Sequence, residues 1–261
     1  MNGMMAGQVV LVTGAGSGIG AATARSFAEA EAEVALLDRD EAALKAVAHE
    51  LREHGYVVSQ WVCDVTDEQA VAHTVRAAAE QHRRLDHAVL SAGILYNGLV
   101  AEMPLAAWQR TLDVNLTGSF LVAREAVRLM LSRGQGGTIT FLSSEAGKHG
   151  SAYGGAYCAS KFGVLGLMES LASEVTGRGI RVNAVCPGDV DTPMIVQNAR
   201  EMAAARGLSE DEHRRRVLAA IPMARLARPE EVAAVCLFLA SPAASYISGE
   251  SINVDGGQLG G

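Results

Sequence analysis

Seven short apolar runs recur along this chain of 261 residues, and longer alanine-rich amphipathic segments separate them. The runs cover residues 8–13, 33–38, 57–63, 87–91, 137–143, 181–186 and 251–254. Several of them lack polar alternation, which is typical of strands that helices cover on both faces. Strands that alternate with helices build a parallel sheet, because each connection has to cross back over the sheet. The sequence therefore predicts an α/β fold in which helices flank a doubly wound, parallel, seven-stranded sheet in three layers.

The segments between the runs predict the helices and one departure from their rhythm. Helices are expected at residues 19–30, 41–53, 67–83, 106–132, 156–176 and 229–240. Residues 189–221 form a longer connection that becomes polar and charged after residue 196. Such a length favours a small helical lid over a structureless loop, and a solvated helix pair with no binding role is the alternative. No Ser- or Pro-rich linker interrupts the chain, so we expect one domain over residues 1–261 with the lid at about 189–221.

Composition and charge narrow the classes of partner. Hydrophobic residues make up 49% of the chain and charged residues 20%, which is enough to bury a sizeable core. The net charge of -7 argues against nucleic acid, whose phosphates require clustered Lys and Arg. The four cysteines show no CxxC spacing, and neither a signal peptide nor an apolar run near the roughly 20 residues of a membrane span is visible. We therefore expect a small-molecule partner, no nucleic acid, no membrane, no metal and a cytoplasmic location.

A glycine-rich turn lies where the first strand leads into the first helix. Residues 11–13 end the strand, and Gly14-Ala15-Gly16-Ser17-Gly18-Ile19-Gly20 follows. Glycines permit a tight turn and let the first amides of a helix approach a pyrophosphate closely. The sequence therefore predicts a Rossmann-type nucleotide site at this turn.

An acid at the end of the second strand predicts which dinucleotide binds. Asp38 follows Gly20 by 18 residues, close to the spacing of about 20 expected for an acid that hydrogen-bonds a ribose diol. Its charge would repel a 2'-phosphate, so NAD is the expected cofactor, although the neighbouring Arg39 could pair with that phosphate. In the alternative interpretation, Asp38 is the N-cap of the helix that begins near Glu41.

Tyr157 and Lys161 form a candidate proton-transfer group. Their spacing of four residues places them on one face of a predicted helix. The cation would favour the phenolate and lower the pKa of the tyrosine. Together with a nucleotide site, this pair suggests redox chemistry of alcohols and carbonyl compounds.

With these motifs in place, the chain resembles the short-chain dehydrogenase/reductase family over residues 8–257. The family's pattern Thr-Gly-xxx-Gly-x-Gly matches Thr13, Gly14, Gly18 and Gly20. Its catalytic serine stands 13 positions before the tyrosine, and its asparagine matches the one in Val114-Asn115-Leu116. The resemblance implies that the catalytic residues are Asn115, Ser144, Tyr157 and Lys161.

The resemblance also implies a set of cofactor-binding residues. They are Gly14, Ser17, Gly18, Ile19, Gly20, Asp38, Asp64, Val65, Ser91, Ala92, Gly93, Tyr157, Lys161, Pro187, Gly188, Val190 and Thr192. Within this set, Asp64 and Val65 would contact the adenine. The family's Asn-Ala-Gly segment is Ser91-Ala92-Gly93 here. Because serine keeps one donor and one acceptor, we expect this departure to have a modest effect.

The family's mechanism assigns a role to each catalytic residue. Tyr157, as phenolate, would remove the hydroxyl proton of the substrate while hydride leaves for the nicotinamide. Lys161 would favour the phenolate and bind the nicotinamide ribose, and Ser144 would hydrogen-bond the substrate oxygen. The carbonyl of Asn115 would hold a water that leads protons to solvent. Taken singly, these residues could instead be a packed interface tyrosine, a solvated lysine, a turn serine and a locally satisfied asparagine, but four coincidences of type and spacing favour catalysis.

The resemblance implies an NAD-dependent oxidoreductase that interconverts a secondary alcohol and a ketone. Residues 144–150, the lid and residues 240–258 are similar to the polyol and sugar-alcohol branch, which includes sorbitol-6-phosphate 2-dehydrogenases. Lys148 and His149 are either exposed loop residues or ligands of an anionic or polyhydroxylated substrate.

Other activities stay open as alternatives. The same scaffold serves 3-oxoacyl-carrier reductases and dehydrogenases of 3-hydroxy acids or cyclic alcohols. Asp38 argues against the interpretation as a 3-oxoacyl-carrier reductase, because that activity usually goes with NADP. A nucleotide-dependent methyltransferase would not need Tyr157 and Lys161 at this spacing. An NAD-sensing binding protein would give no reason for the four catalytic residues to occur together.

The family also implies an oligomer, either a homotetramer or a homodimer. The long helices predicted at residues 106–132 and 156–176 would pack at one interface. Apolar residues on these helices are compatible with that interface or with the protein's own core: Phe120, Leu121, Phe162 and Leu165.

Overall fold

The computed structural model of the protein describes residues 3–258 and contains one seven-stranded parallel sheet. The strands are β1 (Val9–Thr13), β2 (Glu33–Asp38), β3 (Val58–Val62), β4 (His87–Leu90), β5 (Gly137–Leu142), β6 (Ile180–Pro187) and β7 (Ser251–Val254). Their order across the sheet is β3-β2-β1-β4-β5-β6-β7. The seven predicted strands and their parallel arrangement are therefore confirmed.

Helices connect the strands. They are α1 (Gly18–Glu29), α2 (Glu41–Glu53), α3 (Glu68–Gln81), α4 (Leu105–Leu112), α5 (Gly118–Arg133), α6 (Gly155–Val175), α7 (Pro193–Ala205), α8 (Glu210–Ala220) and α9 (Pro229–Ala240). Two of their starts are fixed by aspartates: Asp40 accepts hydrogen bonds from two amides at the start of α2, and Asp67 does the same for α3. The connection at residues 189–221 is helical, as expected, and contains α7 and α8.

The prediction of one continuous helix at residues 106–132 is wrong in one respect. A π turn, Asp113–Thr117, separates α4 from α5. A π turn fits an extra residue into the helix, and the apolar periodicity of a sequence does not register this insertion. The turn contains Asn115, so the irregularity lies at a predicted catalytic residue.

Two apolar clusters cover the two faces of the sheet and give the molecule its three layers. One lies under α3, α5 and α6 and includes Val75, Leu121 and Met168. The other lies under α1, α2 and α9 and includes Phe27 and Leu44. Because both faces are covered, the central strands carry almost continuous apolar residues.

The order in which strands are added to the sheet changes side between β1 and β4. From β1 to β3 each strand is added on one side, and from β4 onward each strand is added on the other. After β3 the chain returns to the other side of β1, so the connections that follow β1 and β4 diverge and leave a crevice at the carboxyl ends of these strands. Open α/β sheets bind their ligands at such a position.

The four cysteines are buried free thiols. Within residues 3–258, no helix combines the length and apolar character needed to cross a membrane.

His87 is a buried histidine in β4, and protonation of its ring destabilises the folded chain. Its Nδ1 lies 2.8 Å from Thr138 Oγ1, and its Nε2 lies 2.6 Å from Gln8 Oε1. Because the amide oxygen only accepts, Nε2 carries a hydrogen. Burial lowers the pKa of His87 to about 4.

We expect the pH dependence of stability to reveal this histidine. Between about pH 6.5 and pH 4 the unfolded chain binds a proton at His87 that the folded chain does not, so stability falls as the pH falls through this window. His87→Gln should lose less stability than the native chain over this range, by a difference of up to about 3 kcal/mol. Urea unfolding at pH 6.5, 5 and 4 measures the difference, with the exposed His73→Gln as control. Equal losses in the native chain and His87→Gln would contradict the assignment.

Candidate active site

A cleft opens at the carboxyl ends of β1 and β4 and gathers most of the predicted cofactor-binding residues. Those that line it are Gly14, Ser17, Gly18, Ile19, Gly20, Asp38, Asp64, Val65, Ser91, Ala92, Gly93 and Thr192. They come from the loops after β1, β2, β3, β4 and β6. The sheet topology thus brings together residues that are far apart in sequence.

The glycines of the first loop are required by close contacts. Gly14 has a φ of +67°, and a Cβ there would lie 2.9 Å from the Cα of Ala92. A Cβ at Gly20 would lie 2.1 Å from the carbonyl oxygen of Gly14. Ser17 precedes α1 and its side chain makes no capping bond, so the first amides of the helix point to the cleft without a side-chain partner. This cradle fits a pyrophosphate.

Thr13 ties the ends of β1 and β4 together. Its Oγ1 accepts hydrogen bonds of 3.1 Å from the amides of Ser91 and Ala92. The sequence placed Thr13 in a motif but did not predict this contact. The loop that begins at Ser91 is therefore held through its main chain, which serine supports as well as asparagine.

Asp38 braces the glycine loop. Its Oδ2 accepts a hydrogen bond of 2.9 Å from the Gly16 amide, and its Oδ1 accepts one of 2.9 Å from the Asp40 amide. The N-cap of α2 is Asp40, so the alternative interpretation of Asp38 as that cap is wrong. A carboxylate offers about four acceptor positions, so Asp38 keeps capacity toward the cleft. Arg39 is exposed and lines the same cleft.

Asp64 and Val65 form the opposite wall. Asp64 Oδ1 accepts hydrogen bonds from the amide and the hydroxyl of Thr66, which fixes its orientation. Val65 is buried and packs against Gly118, where a Cβ would come within 2.6 Å of Val65 Cγ2. The close approach of α5 to this wall therefore depends on a glycine.

Five predicted cofactor-binding residues do not appear in the lining of this cleft: Tyr157, Lys161, Pro187, Gly188 and Val190. Val190 is buried in the core, Pro187 ends β6 close to Ser144, and Gly188 follows it. Thr192 follows them, caps α7 through the Ile195 amide and lies 3.2 Å from a Cβ placed on Gly18. The segment from 187 to 192 thus connects the end of β6 with the glycine loop.

The four predicted catalytic residues come from three elements. Ser144 follows β5, Tyr157 and Lys161 lie in the first turns of α6, and Asn115 lies in the π turn. Lys161 is 5% exposed, its Nζ donates a hydrogen bond of 2.8 Å to the carbonyl of Leu142, and Nζ lies 5.6 Å from the centroid of the Tyr157 ring. The interpretation of Lys161 as a solvated helix lysine is therefore wrong.

Asn115 connects the loop after β4 with α6. Its Oδ1 accepts a hydrogen bond of 2.8 Å from the Ile94 amide, and its Nδ2 donates to the Ile94 carbonyl and to Ser160 Oγ, both at 2.9 Å. Ser160 Oγ in turn donates to the carbonyl of Tyr157 at 2.7 Å. These partners lie 21 and 45 residues away in sequence, so the interpretation of Asn115 as a locally satisfied helix residue is wrong.

The pKa of Tyr157 moves in the direction opposite to the one expected from the sequence. Burial raises this pKa to about 12, a hydrogen bond with Ser144 opposes the rise, and the negative charges of Glu145 and Asp189 add to it. Burial also lowers the pKa of Lys161 to about 8. Helical spacing predicted that the two side chains share one face of the helix, but it did not predict how deeply they are buried. In this site the effect of burial on the pKa of Tyr157 is larger than the effect of the nearby cation.

Carboxyl groups near Ser144 were missed at the sequence level. Glu145 follows Ser144 directly, and burial together with the charges of Asp189 and Asp255 raises the pKa of Glu145 to about 7. His213 of α8 is buried, and its charge acts on Asp189. The signal that could have revealed Glu145 is its position beside the predicted catalytic serine.

Lys148 and His149 were candidate ligands of an anionic or polyhydroxylated substrate, and the structure shows another contact for Lys148. Lys148 Nζ donates a hydrogen bond of 2.8 Å to the carbonyl of Ser251 and so ties the loop to β7. Both Lys148 and His149 are exposed.

Comparisons with known proteins agree with this geometry over the whole chain. The profile of the family described as Enoyl-(Acyl carrier protein) reductase matches residues 14–258. The chain is 43% identical to the cis-4-hydroxycyclohexanecarboxylate dehydrogenase of Sinomonas cyclohexanicum, with 98% of both proteins covered. It is 36% identical to the sorbitol-6-phosphate 2-dehydrogenase of Escherichia coli K12, with 97% of this chain and 98% of that protein covered.

A solved structure extends the likeness to three dimensions. The crystal structure of a variant of the actinorhodin polyketide ketoreductase with NADPH superposes with a TM-score of 0.94 at 35% identity and covers 99% of both chains. The similarity therefore includes the site and its lid region as well as the sheet.

Proposed function

The chain belongs to the short-chain dehydrogenase/reductase family, and we propose that it interconverts a secondary alcohol and a ketone with NAD as the hydride carrier. One observation carries the proposal: Tyr157 interacts with Ser144, and its ring centroid lies 5.6 Å from Lys161 Nζ. This Nζ lies 3.7 Å from a Cβ placed on Gly93, which lines the same cleft as the glycine loop and Asp38. An acid/base group and a dinucleotide cradle then share one crevice at the switch point of the sheet.

Tyr157 is the proposed acid and base. With its pKa raised by burial, it is protonated at neutral pH and ready to give its proton to the oxygen of a ketone. In the reverse direction it takes the hydroxyl proton of the alcohol. Ser144, whose hydroxyl interacts with Tyr157, would hydrogen-bond the same substrate oxygen and hold it in line.

Lys161 and Asn115 support this proton transfer. Lys161 is still mostly charged at neutral pH, so it opposes the effect of burial on Tyr157. The carbonyl of Asn115 accepts a hydrogen bond from Ser119 Oγ. The second lone pair of this oxygen is the proposed acceptor for a water near Lys161. A bound oxidised nicotinamide would supply the hydride acceptor and a positive charge close to Tyr157.

NAD is the proposed cofactor because of Asp38. Its carboxylate is fixed by two amides at the edge of the cleft and offers acceptors where a ribose diol would lie. The same negative charge would repel a 2'-phosphate. The scaffold also serves NADPH in the polyketide ketoreductase, so the choice between the two cofactors has to lie in local charges such as those of Asp38 and Arg39.

The proposed substrate is a small polyol or another small hydroxy compound. Lys148, the cation nearest in sequence to Ser144, is engaged with Ser251, so the sugar phosphate alternative loses its most obvious anion ligand. A cyclic secondary alcohol is the second candidate, favoured by the 43% identity to a dehydrogenase of a hydroxylated cyclohexane ring. A 3-oxoacyl-carrier reductase is disfavoured by Asp38, and an NAD-sensing protein by the hydrogen-bonded arrangement around Tyr157.

The chain is proposed to form one domain with the lid over α7 and α8, and to act in the cytoplasm. Four free thiols fit a reducing compartment. It is also proposed to assemble as a homotetramer or homodimer through α5 and α6. Phe120 and Phe162 support this assembly, because 42% and 47% of these aromatic residues are exposed on the two helices; Leu121 belongs to the core.

Tyr157→Phe tests the reaction. Because the phenol moves the proton, we expect turnover with NAD and a panel of polyols, cyclic alcohols and hydroxy acids to fall by about 10²-fold or more, while folding and NAD binding persist. NADH absorbance measures turnover, and Tyr56→Phe, two residues before β3, is the control. Undiminished turnover in Tyr157→Phe would contradict the assignment of Tyr157 as the acid and base.

Asp38→Asn tests the choice of cofactor. The variant keeps an acceptor for the Gly16 amide but loses the charge, so the ratio of kcat/KM for NAD to that for NADP should drop by about tenfold or more. Steady-state kinetics with both cofactors provide the ratio. A native enzyme with the higher kcat/KM for NADP would overturn the proposal.

Light scattering after size exclusion tests the assembly. We expect a mass of two or four times the 27.3 kDa of one chain, because the exposed phenylalanines of α5 and α6 would be covered. A mass of one chain would exclude both oligomers.

A further inference from the structure

Two hydrogen-bond acceptors beside the predicted catalytic serine have no partner among residues 3–258. They are Oε2 of Glu145 and Oε1 of Gln258, and both atoms are buried. A buried polar atom without a partner costs about 1–3 kcal/mol, so such atoms near a reacting centre call for an explanation.

These two side chains form one unit. Gln258 Nε2 donates a hydrogen bond of 3.4 Å to Glu145 Oε1. This bond sets the orientation of the amide and leaves its oxygen as the free atom. The same oxygen lies 3.2 Å from a Cβ placed on Gly188, which follows Pro187 at the end of β6.

The unit lies next to the reacting groups. Glu145 begins the short turn after Ser144, and Ser144 Oγ lies 3.5 Å from the carbonyl of Pro187. The charges of Glu145 and Asp189 both act on Tyr157. A substrate oxygen held by Ser144 and Tyr157 would therefore place its neighbouring carbon close to Glu145.

Acidic groups act on the unit. Burial raises the pKa of Glu145, the negative charges of Asp189 and Asp255 add to this rise, and His213 of α8 acts on Asp189 in turn. Carboxylate and phosphate groups offer acceptors only and carry the same sign of charge, whereas hydroxyl and ammonium groups offer donors.

We propose that Glu145 and Gln258 are specificity-determining residues that select a substrate with a hydroxyl or ammonium group on the carbon next to the reacting carbinol. This inference rests on the proposed alcohol dehydrogenase activity and narrows its substrate to vicinal diols, polyols or amino alcohols. The donor group of the substrate satisfies Oε2 of Glu145, and a second donor satisfies Oε1 of Gln258. Carboxylates and phosphates at that position are rejected by charge.

Four probes on one carbon frame test the proposal: butan-2-ol, butane-2,3-diol, 3-aminobutan-2-ol and 3-hydroxybutanoate. With the native enzyme and NAD, we expect kcat/KM for the diol or the amino alcohol to exceed that for butan-2-ol by at least about tenfold, the ratio that one charge-assisted hydrogen bond supplies. 3-Hydroxybutanoate should be the poorest of the four. The diol and the amino alcohol distinguish a neutral donor from a cationic one, and a preference for either supports the proposal.

Variants assign the preference to the two residues. In Glu145→Gln and in Gln258→Ala, the ratio of kcat/KM for the preferred donor substrate to that for butan-2-ol should fall by about tenfold or more. Glu80→Gln, an exposed glutamate on α3, should leave the ratio unchanged. Because Gln258 belongs to the same hydrogen-bonded unit as Glu145, its variant keeps the test valid if Glu145→Gln does not fold.

The outcomes separate this inference from the function on which it rests. If the native enzyme oxidises butan-2-ol and 3-hydroxybutanoate as well as the diol and the amino alcohol, the dehydrogenase stands and the inference is wrong. The same holds if the ratio persists in both variants, since the two acceptors would then be satisfied by water alone. If no secondary alcohol reacts with NAD or NADP, the proposed function fails first and the inference with it.

Discussion

The amide of Asn115 is the interaction on which the geometry of the site depends. It joins the main chain of Ile94, after β4, to Ser160 of α6, and Ser160 continues to the carbonyl of Tyr157. Because the amide is fully buried, any shift of α6 against the sheet would leave polar groups unpaired at about 1–3 kcal/mol each. The first turns of α6 are thereby held in one register, and with them Tyr157 and Lys161, the proposed proton-transfer pair. The π turn is the local irregularity from which Asn115 makes these contacts.

Burial gives this site its electrostatic character. It raises the pKa of Tyr157 and lowers that of Lys161, and in both cases it favours the neutral form. The carboxyl of Glu145 follows the same rule with a raised pKa. A charge brought into such surroundings acts strongly on its neighbours, because little water screens it. Burial thus disfavours the charged form of each of these groups, although Lys161, with a pKa of about 8, keeps most of its charge at neutral pH.

The sequence predicted the parts of the structure that local pattern determines. Apolar runs predicted the strands. The glycine motif predicted the first loop, because its close contacts, such as that between Gly20 and Gly14, join residues that are near each other in sequence. The π turn was not predictable, since the apolar period continues through it. Nor was the bond from Thr13 to the loop after β4, which joins residues 78 and 79 positions apart. The direction of the Tyr157 pKa shift was missed for the same reason: depth of burial is a property of the assembled fold.

The two sides of the site differ in how they are built, and this explains why one was easier to predict than the other. The proposed cofactor side consists mainly of main-chain amides and glycines, which tolerate few replacements because a Cβ would collide with backbone. The proposed substrate side consists of side chains from separate segments, namely Glu145, Asp189, His213 and Gln258. A sequence shows the charge of such residues but not whether a charge is already engaged, as that of Lys148 is by Ser251. Replacing a few of these side chains would change the substrate without disturbing the hydride chemistry. Dehydrogenases of a cyclohexane carboxylate and of a sugar phosphate can therefore both align with this chain over nearly its whole length.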